Sequence, residues 1–230
     1  MSTAVASEVR ETLALALDVD DLIEARRLAS ELRPYFGVAK IGLELFTAVG
    51  PDIVGIIADA GYKVFLDMKL HDSPAIVERA SRVMGAIGVS YLTLHAFGGA
   101  PMLRAGVEGL NEGAARAGLD TPKALAVTIL TGDNDAPPHI LGNRVRAAVE
   151  GGCQGIVCPA GDVREAKQLA PRLMAAVTGI QPDVNEDDEE AATPQIALQA
   201  GADLLVVGSP VTRAQDRVEA AEKIVSLVSQ

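Results

Sequence analysis

The 230-residue chain has no tryptophan, two cysteines, three histidines and only 3% aromatic residues. Cys153 and Cys158 stand in C-x4-C spacing with no histidine cluster nearby. Neither a zinc cage nor a disulfide framework is therefore expected, and both thiols read as small buried hydrophobes. His71, His95 and His139 are too scattered in sequence to suggest a metal site. Basic runs are also missing. At a net charge of −11 and a pI near 4.7, with no aromatic-basic stripe, a general nucleic-acid or anionic-membrane surface is not expected. Long apolar runs are absent, and residues Met1 to Glu8 lack a basic start and an apolar middle. No spanning helix or secretion signal is expected, and the default compartment is the cytoplasm. Neither G-x-G-x-x-G nor a P-loop lysine motif occurs, so the two common nucleotide signatures of open α/β sheets are missing. There is no linker or low-complexity tract, and residues 1–230 are expected to form a single domain.

What is present is a rhythm. Thr12 to Asp18 is an apolar run ending in an acid, and Asp20-Asp21 then caps a segment with Leu22, Ala25, Leu28, Ala29 and Leu32 at helical spacing. Further strands are expected over Gly37 to Leu43, the stretch Val64 to Asp72 with Asp72 past the strand on the turn, Ser90 to Ala96, Lys123 to Leu130, Gly155 to Ala160, Leu173 to Gly179 and Leu204 to Ser209. Between and after them fall helical segments over Glu44 to Ala60 (broken at Gly50-Pro51), Pro74 to Ile87, Pro101 to Ala117, Pro138 to Glu150, Val163 to Leu169, Thr193 to Gln199 and Ala214 to Val228. Eight apolar strands alternating with eight helical segments predict a (β/α)8 TIM barrel, with a doubly wound open sheet as the alternative.

The chemistry concentrates where Val64-Phe65-Leu66 runs into Asp67-Met68-Lys69-Leu70-His71-Asp72. Strand alternation points Asp67 and Lys69 the same way, while Asp72 lies beyond the strand. In a barrel the carboxyl ends of the strands converge on one mouth, so Asp18, Lys40, Asp67, Lys69 and Asp72, with Thr93 or His95 and Thr131, are expected around one small ligand. An ammonium among carboxylates keeps its charge, which makes Lys69 a general acid rather than a Schiff-base nucleophile.

Asp67-Met68-Lys69-Leu70-His71-Asp72-Ser73-Pro74 resembles the D-x-K-x-H-D-x-P signature of the orotidine 5′-phosphate decarboxylase family. Leu17-Asp18, Lys40 to Phe46, Val127 to Thr131 and Val206-Val207-Gly208 match its other blocks in order. The resemblance implies a lyase of pyrimidine biosynthesis that forms UMP without metal or cofactor. It implies Lys69 as proton donor, Asp67 facing the leaving carboxylate, and Lys40 positioning Asp67 and the ribose. Asp18 would bind a ribose hydroxyl and Thr131 would line the pyrimidine pocket. Asp72 would reach into a neighbouring subunit's site, which implies a homodimer with shared active sites.

The chain departs from the family pattern where a phosphate would be held. Gly-Ile-Arg-Pro becomes Gly179-Ile180-Gln181-Pro182, Gly-Arg-Pro becomes Gly208-Ser209-Pro210, and the intervening loop carries Glu186 to Glu190 without a basic residue. Ile76 also stands where the family has a threonine contacting ribose across the dimer. Gln181, Gly208, Ser209 and Arg213 are the residues left to bind that end of the substrate. The readings open at this level are orotidine 5′-phosphate decarboxylase, a decarboxylase of a related substrate without the phosphate, and a non-catalytic pyrimidine-binding homologue.

Overall fold

The computed structural model describes residues 5–130, 137, 139–183 and 191–229. Eight parallel strands close on themselves in chain order: β1 (Leu13–Ala16), β2 (Val38–Ile41), β3 (Lys63–Leu70), β4 (Tyr91–His95), β5 (Lys123–Val127), β6 (Gly155–Cys158), β7 (Met174–Val177) and β8 (Leu204–Val207), with β8 pairing back to β1. The closed ring of parallel strands excludes the open-sheet alternative. All residues of β1, β2, β5 beyond Lys123, β6 and β8 are buried, as strands covered by helices outside and side chains inside must be.

Two cores follow from the strand period of two. Residues pointing outward pack under the helices. Those pointing inward fill the barrel, with Phe65 and Tyr91 (ring centroids 5.8 Å apart) on one side, and Ala14, Ala16 and Ala176 supplying the space for them on the other. The barrel is therefore a packed plug, and a ligand has room only at its ends.

Element limits differ from expectation where local caps act. The last helix begins at Arg217 rather than Ala214, because the Asp216 carboxylate accepts the Glu219 N–H at 2.9 Å and stops the helix there. Strand β5 ends at Val127 rather than Leu130, and the buried Thr128 hydroxyl then donates to the Val157 carbonyl at 3.0 Å. The helix expected from Pro138 starts at Ile140, and Pro138 itself lies outside the described residues. A short helix at Ser7–Glu11 was not anticipated from the sequence; it buries no side chain, so it carries no apolar period to read. Among the described residues, no helix is long and apolar enough to cross a membrane.

Candidate active site

The inward-facing positions of the first four strands climb from apolar to polar. Above Ala14 and Ala16 comes Asp18; above Val38 comes Lys40; above Phe65 comes Asp67; and above Tyr91 comes Thr93. Each is one pleat repeat beyond the last apolar plug residue, so the fold delivers four polar groups to the mouth. Lys69 joins them by a different route, since it sits in a break of the ladder. Leu66 pairs with Leu92 and Leu70 with Leu94, so four residues of β3 span two of β4, and Lys69 takes a left-handed φ of 47°.

The charged groups form a connected array. Lys40 Nζ lies 2.8 Å from Asp18 Oδ1 and 4.0 Å from Asp67 Oδ2, while Lys69 Nζ lies 2.8 Å from that same Asp67 oxygen. The other Asp67 oxygen, Oδ1, accepts the Thr93 hydroxyl at 2.9 Å, and Thr93 Oγ1 accepts the Lys69 N–H at 2.8 Å. Asp67 is only 7% exposed and Lys40 9%. A carboxylate so far out of water requires compensating cations, and two ammonium groups supply them. Asp18 and Lys69 are more open and face the mouth.

A cavity of about 210 Å³ continues from this array between the ends of β1, β2, β7 and β8. It brings Gly179, Gln181, Gly208 and Ser209 together with Asp18 and Lys40. Arg213 is not part of that lining; it is exposed at the end of the short helix Ser209–Thr212. Thr131 lies outside the described residues. A larger hollow of about 310 Å³, lined by Lys63, Ser90, Tyr91 and Lys123, opens at the opposite end of the barrel. It holds none of the array and lies at the end where barrel residues serve stability rather than chemistry.

Asp72 is not drawn into the array of its own chain. It is exposed, its Oδ1 accepts the adjacent Ser73 N–H at 2.5 Å, and among the described residues it makes no ion pair with Lys40 or Lys69. His95 does not touch Asp67 either. Its Nδ1 accepts the Phe97 N–H at 3.2 Å and its ring stands 5.7 Å from that of His71. Burial first, then the positive charges of Arg144, His71 and Lys69, pull its pKa below the ordinary histidine value, which favours the neutral ring that this acceptor role needs. Sequence reasoning passed over Gly42, whose absent side chain would lie 3.3 Å from Asp18 Oδ1 and 3.4 Å from Lys40 Nζ. Its position just past the Lys40 strand end was the available signal.

Barrel and array together define a (β/α)8 protein whose carboxyl-end mouth alternates acids and amines beside a small cavity. Residues 11–224 match the orotidine 5′-phosphate decarboxylase / HUMPS family, and the chain belongs to that family. Orotidine 5′-phosphate decarboxylase of Lactiplantibacillus plantarum is 41% identical over 205 residues, covering 81% of this chain and 85% of the relative. The protein of the same name from Moorella thermoacetica is 36% identical over 229 residues, covering 94% and 91%. Among solved structures, orotidine 5′-phosphate decarboxylase from Lactobacillus acidophilus superposes with a TM-score of 0.82 at 29% identity, covering 95% of this chain and 99% of that one. The Methanocaldococcus jannaschii enzyme complexed with the inhibitor BMP shares the fold at a TM-score of 0.78 and 22% identity.

Proposed function

We propose that this chain is a carbon–carbon lyase of the cytoplasm that decarboxylates orotidine 5′-phosphate to uridine 5′-phosphate. The observation that carries this reading is the Lys69 ammonium held 2.8 Å from the buried Asp67 carboxylate at the barrel mouth. In the reaction the bond between C6 and the carboxylate breaks, carbon dioxide leaves, and the electron pair stays on C6. The cation of Lys69 faces that developing charge and then transfers its Nζ proton to C6, after which water reprotonates the amine. Asp18, Lys40, Asp67 and Lys69 of one chain supply charges to the step, and Asp72 of a second copy completes them. Asp67 fixes the ammonium and Lys40 bridges Asp67 to Asp18; in this reading Asp18 accepts from a ribose hydroxyl. Gln181, Gly208, Ser209 and, from outside the cavity lining, Arg213 serve the phosphate end.

The working unit is a homodimer with shared sites. Two features support this: Asp72 is exposed and, among the described residues, makes no ion pair with its own array, and the large apolar side chains of Leu43, Ile76, Phe97 and Leu130 are exposed beyond the ends of β2 to β5 on the same rim. The assignment is tested by carbon dioxide release from purified protein supplied with orotidine 5′-phosphate and, separately, with orotidine. Turnover of the nucleotide by the wild type and its loss in Lys69→Ala, by on the order of 10²-fold or more, are expected, because both the facing charge and the acid disappear. A Lys69→Ala protein with more than about a tenth of wild-type turnover refutes the role given to Lys69.

A further inference from the structure

Thr93 is completely buried, yet it is polar and stands where the plug of apolar side chains ends. Its hydroxyl has two partners. It donates to Asp67 Oδ1 at 2.9 Å and accepts the backbone N–H of Lys69 at 2.8 Å. The second bond is unusual for a strand. Amides of β3 alternate between its neighbours, Lys63 donating to Gly37 on the β2 side and the Val64 carbonyl accepting from Ser90 on the β4 side, so in a regular strand the Lys69 amide would face β2. Instead the β3–β4 ladder breaks between Leu66 and Leu70, Lys69 turns into the left-handed region, and its amide meets a side chain of β4. Among the described residues, Lys69 is the one non-glycine with positive φ. An L-residue adopts that conformation only where its surroundings hold it.

We propose that Thr93 is a positioning residue for the proton donor, acting through both bonds at once. By accepting the Lys69 amide it secures the left-handed turn that folds the lysine side chain back over Asp67. By donating to Oδ1 it fixes the rotation of the Asp67 carboxylate, so that Oδ2 is the oxygen presented to the ammonium 2.8 Å away. One hydroxyl thereby sets the backbone of the acid and the orientation of its counter-ion. Valine at this position fills the same volume but leaves both groups unpaired in a buried place, so backbone and carboxylate are released together.

The test compares Thr93→Val with Thr93→Ser, which keeps the hydroxyl and drops the methyl. Crystal structures of both are expected to show Lys69 leaving the left-handed region, with a longer Nζ to Asp67 distance, in the valine protein only. With orotidine 5′-phosphate, kcat of the valine protein is expected to fall on the order of 10²-fold, the usual consequence of a displacement near 1 Å, while KM changes less than about threefold and serine retains most of the rate. The inference is overturned if the valine protein keeps Lys69 left-handed and ion-paired, or if serine loses as much rate as valine. Thr93→Cys, close in volume and a weak donor, replaces the valine protein if that one does not fold. The kinetic arm rests on the proposed reaction and the structural arm does not. Absence of turnover in the wild type overturns the reaction and leaves the crystal structures to decide the role of Thr93.

Discussion

Ser209 is the residue at which charge and substrate are most at odds. Among the described residues, the cavity it lines has two charged groups, Asp18 and Lys40, and Lys40 is already shared between two carboxylates. Residues 183–193 include no lysine or arginine, so that segment offers a phosphate no cation wherever it lies. Within the cavity lining, neutral donors and backbone N–H groups are left to hold a dianion, with Arg213 acting from outside it, and remote binding energy that would lower the barrier at C6 is reduced. Ser209→Arg is therefore expected to raise kcat/KM for orotidine 5′-phosphate by about tenfold or more, roughly 1.4 kcal/mol, and to leave orotidine nearly unchanged. Steady-state kinetics on both substrates decides it; an equal gain on both would place the phosphate elsewhere. The cysteines illustrate the opposite case, in which composition alone sufficed. Both are buried, and burial pushes each thiol up to about 12, so they act as apolar filling.

The helix following β3 (Pro74–Ala86) and the helix following β4 (Gly99–Ala117) are packed backbone to backbone. A side chain at Gly109 would run into the Glu78 carbonyl, one at Gly113 into the Arg82 carbonyl, and one at Gly85 into the Leu110 carbonyl. This seam holds the start of the first helix, and with it the Asp72 turn, against the body of the barrel. Gly113→Ala must push the helices apart. Overpacking of this kind costs typically about 1–3 kcal/mol, which for a chain of this length corresponds to a fall in Tm of roughly 3–10 °C. Thermal unfolding followed by circular dichroism measures it, and an unchanged Tm would mean that the seam yields. Helical periodicity in the sequence located both helices but said nothing of their spacing. Glycines at positions 106, 109 and 113 were the trace of it, one that becomes readable only once the facing helix is known.

For the whole molecule, the decisive question is whether one barrel contains a complete site. Asp72 lies outside the array of its own chain, amid an exposed apolar rim that includes Ile76 and Phe97. If the partner of a homodimer inserts this residue, Lys69→Ala and Asp72→Ala proteins are each inactive, and mixing them under subunit exchange restores part of the activity through heterodimers with one intact site. Exchange verified by mass, with no activity recovered, rules out sharing.

Sequence by itself determined the alternation of strands and helices, because burial on both faces leaves continuous apolar runs and helices keep their own period. It also determined which strand ends carry charge, since Asp18, Lys40 and Asp67 terminate such runs. The grouping of Lys69 with Asp67 was legible for a reason that proved incomplete: alternation predicts the shared face, but the structure reaches it through a broken ladder and a left-handed lysine. Tertiary structure decided the rest. The contacts of Thr93, the absence of Arg213 from the cavity lining and the exposure of Asp72 depend on residues brought together from different elements or on the course of a turn. Periodicity records the environment of one element, whereas Thr93 reaches Lys69 and Asp67 across the β3–β4 pair, and the cavity that leaves out Arg213 lies where β7 and β8 meet β1 and β2.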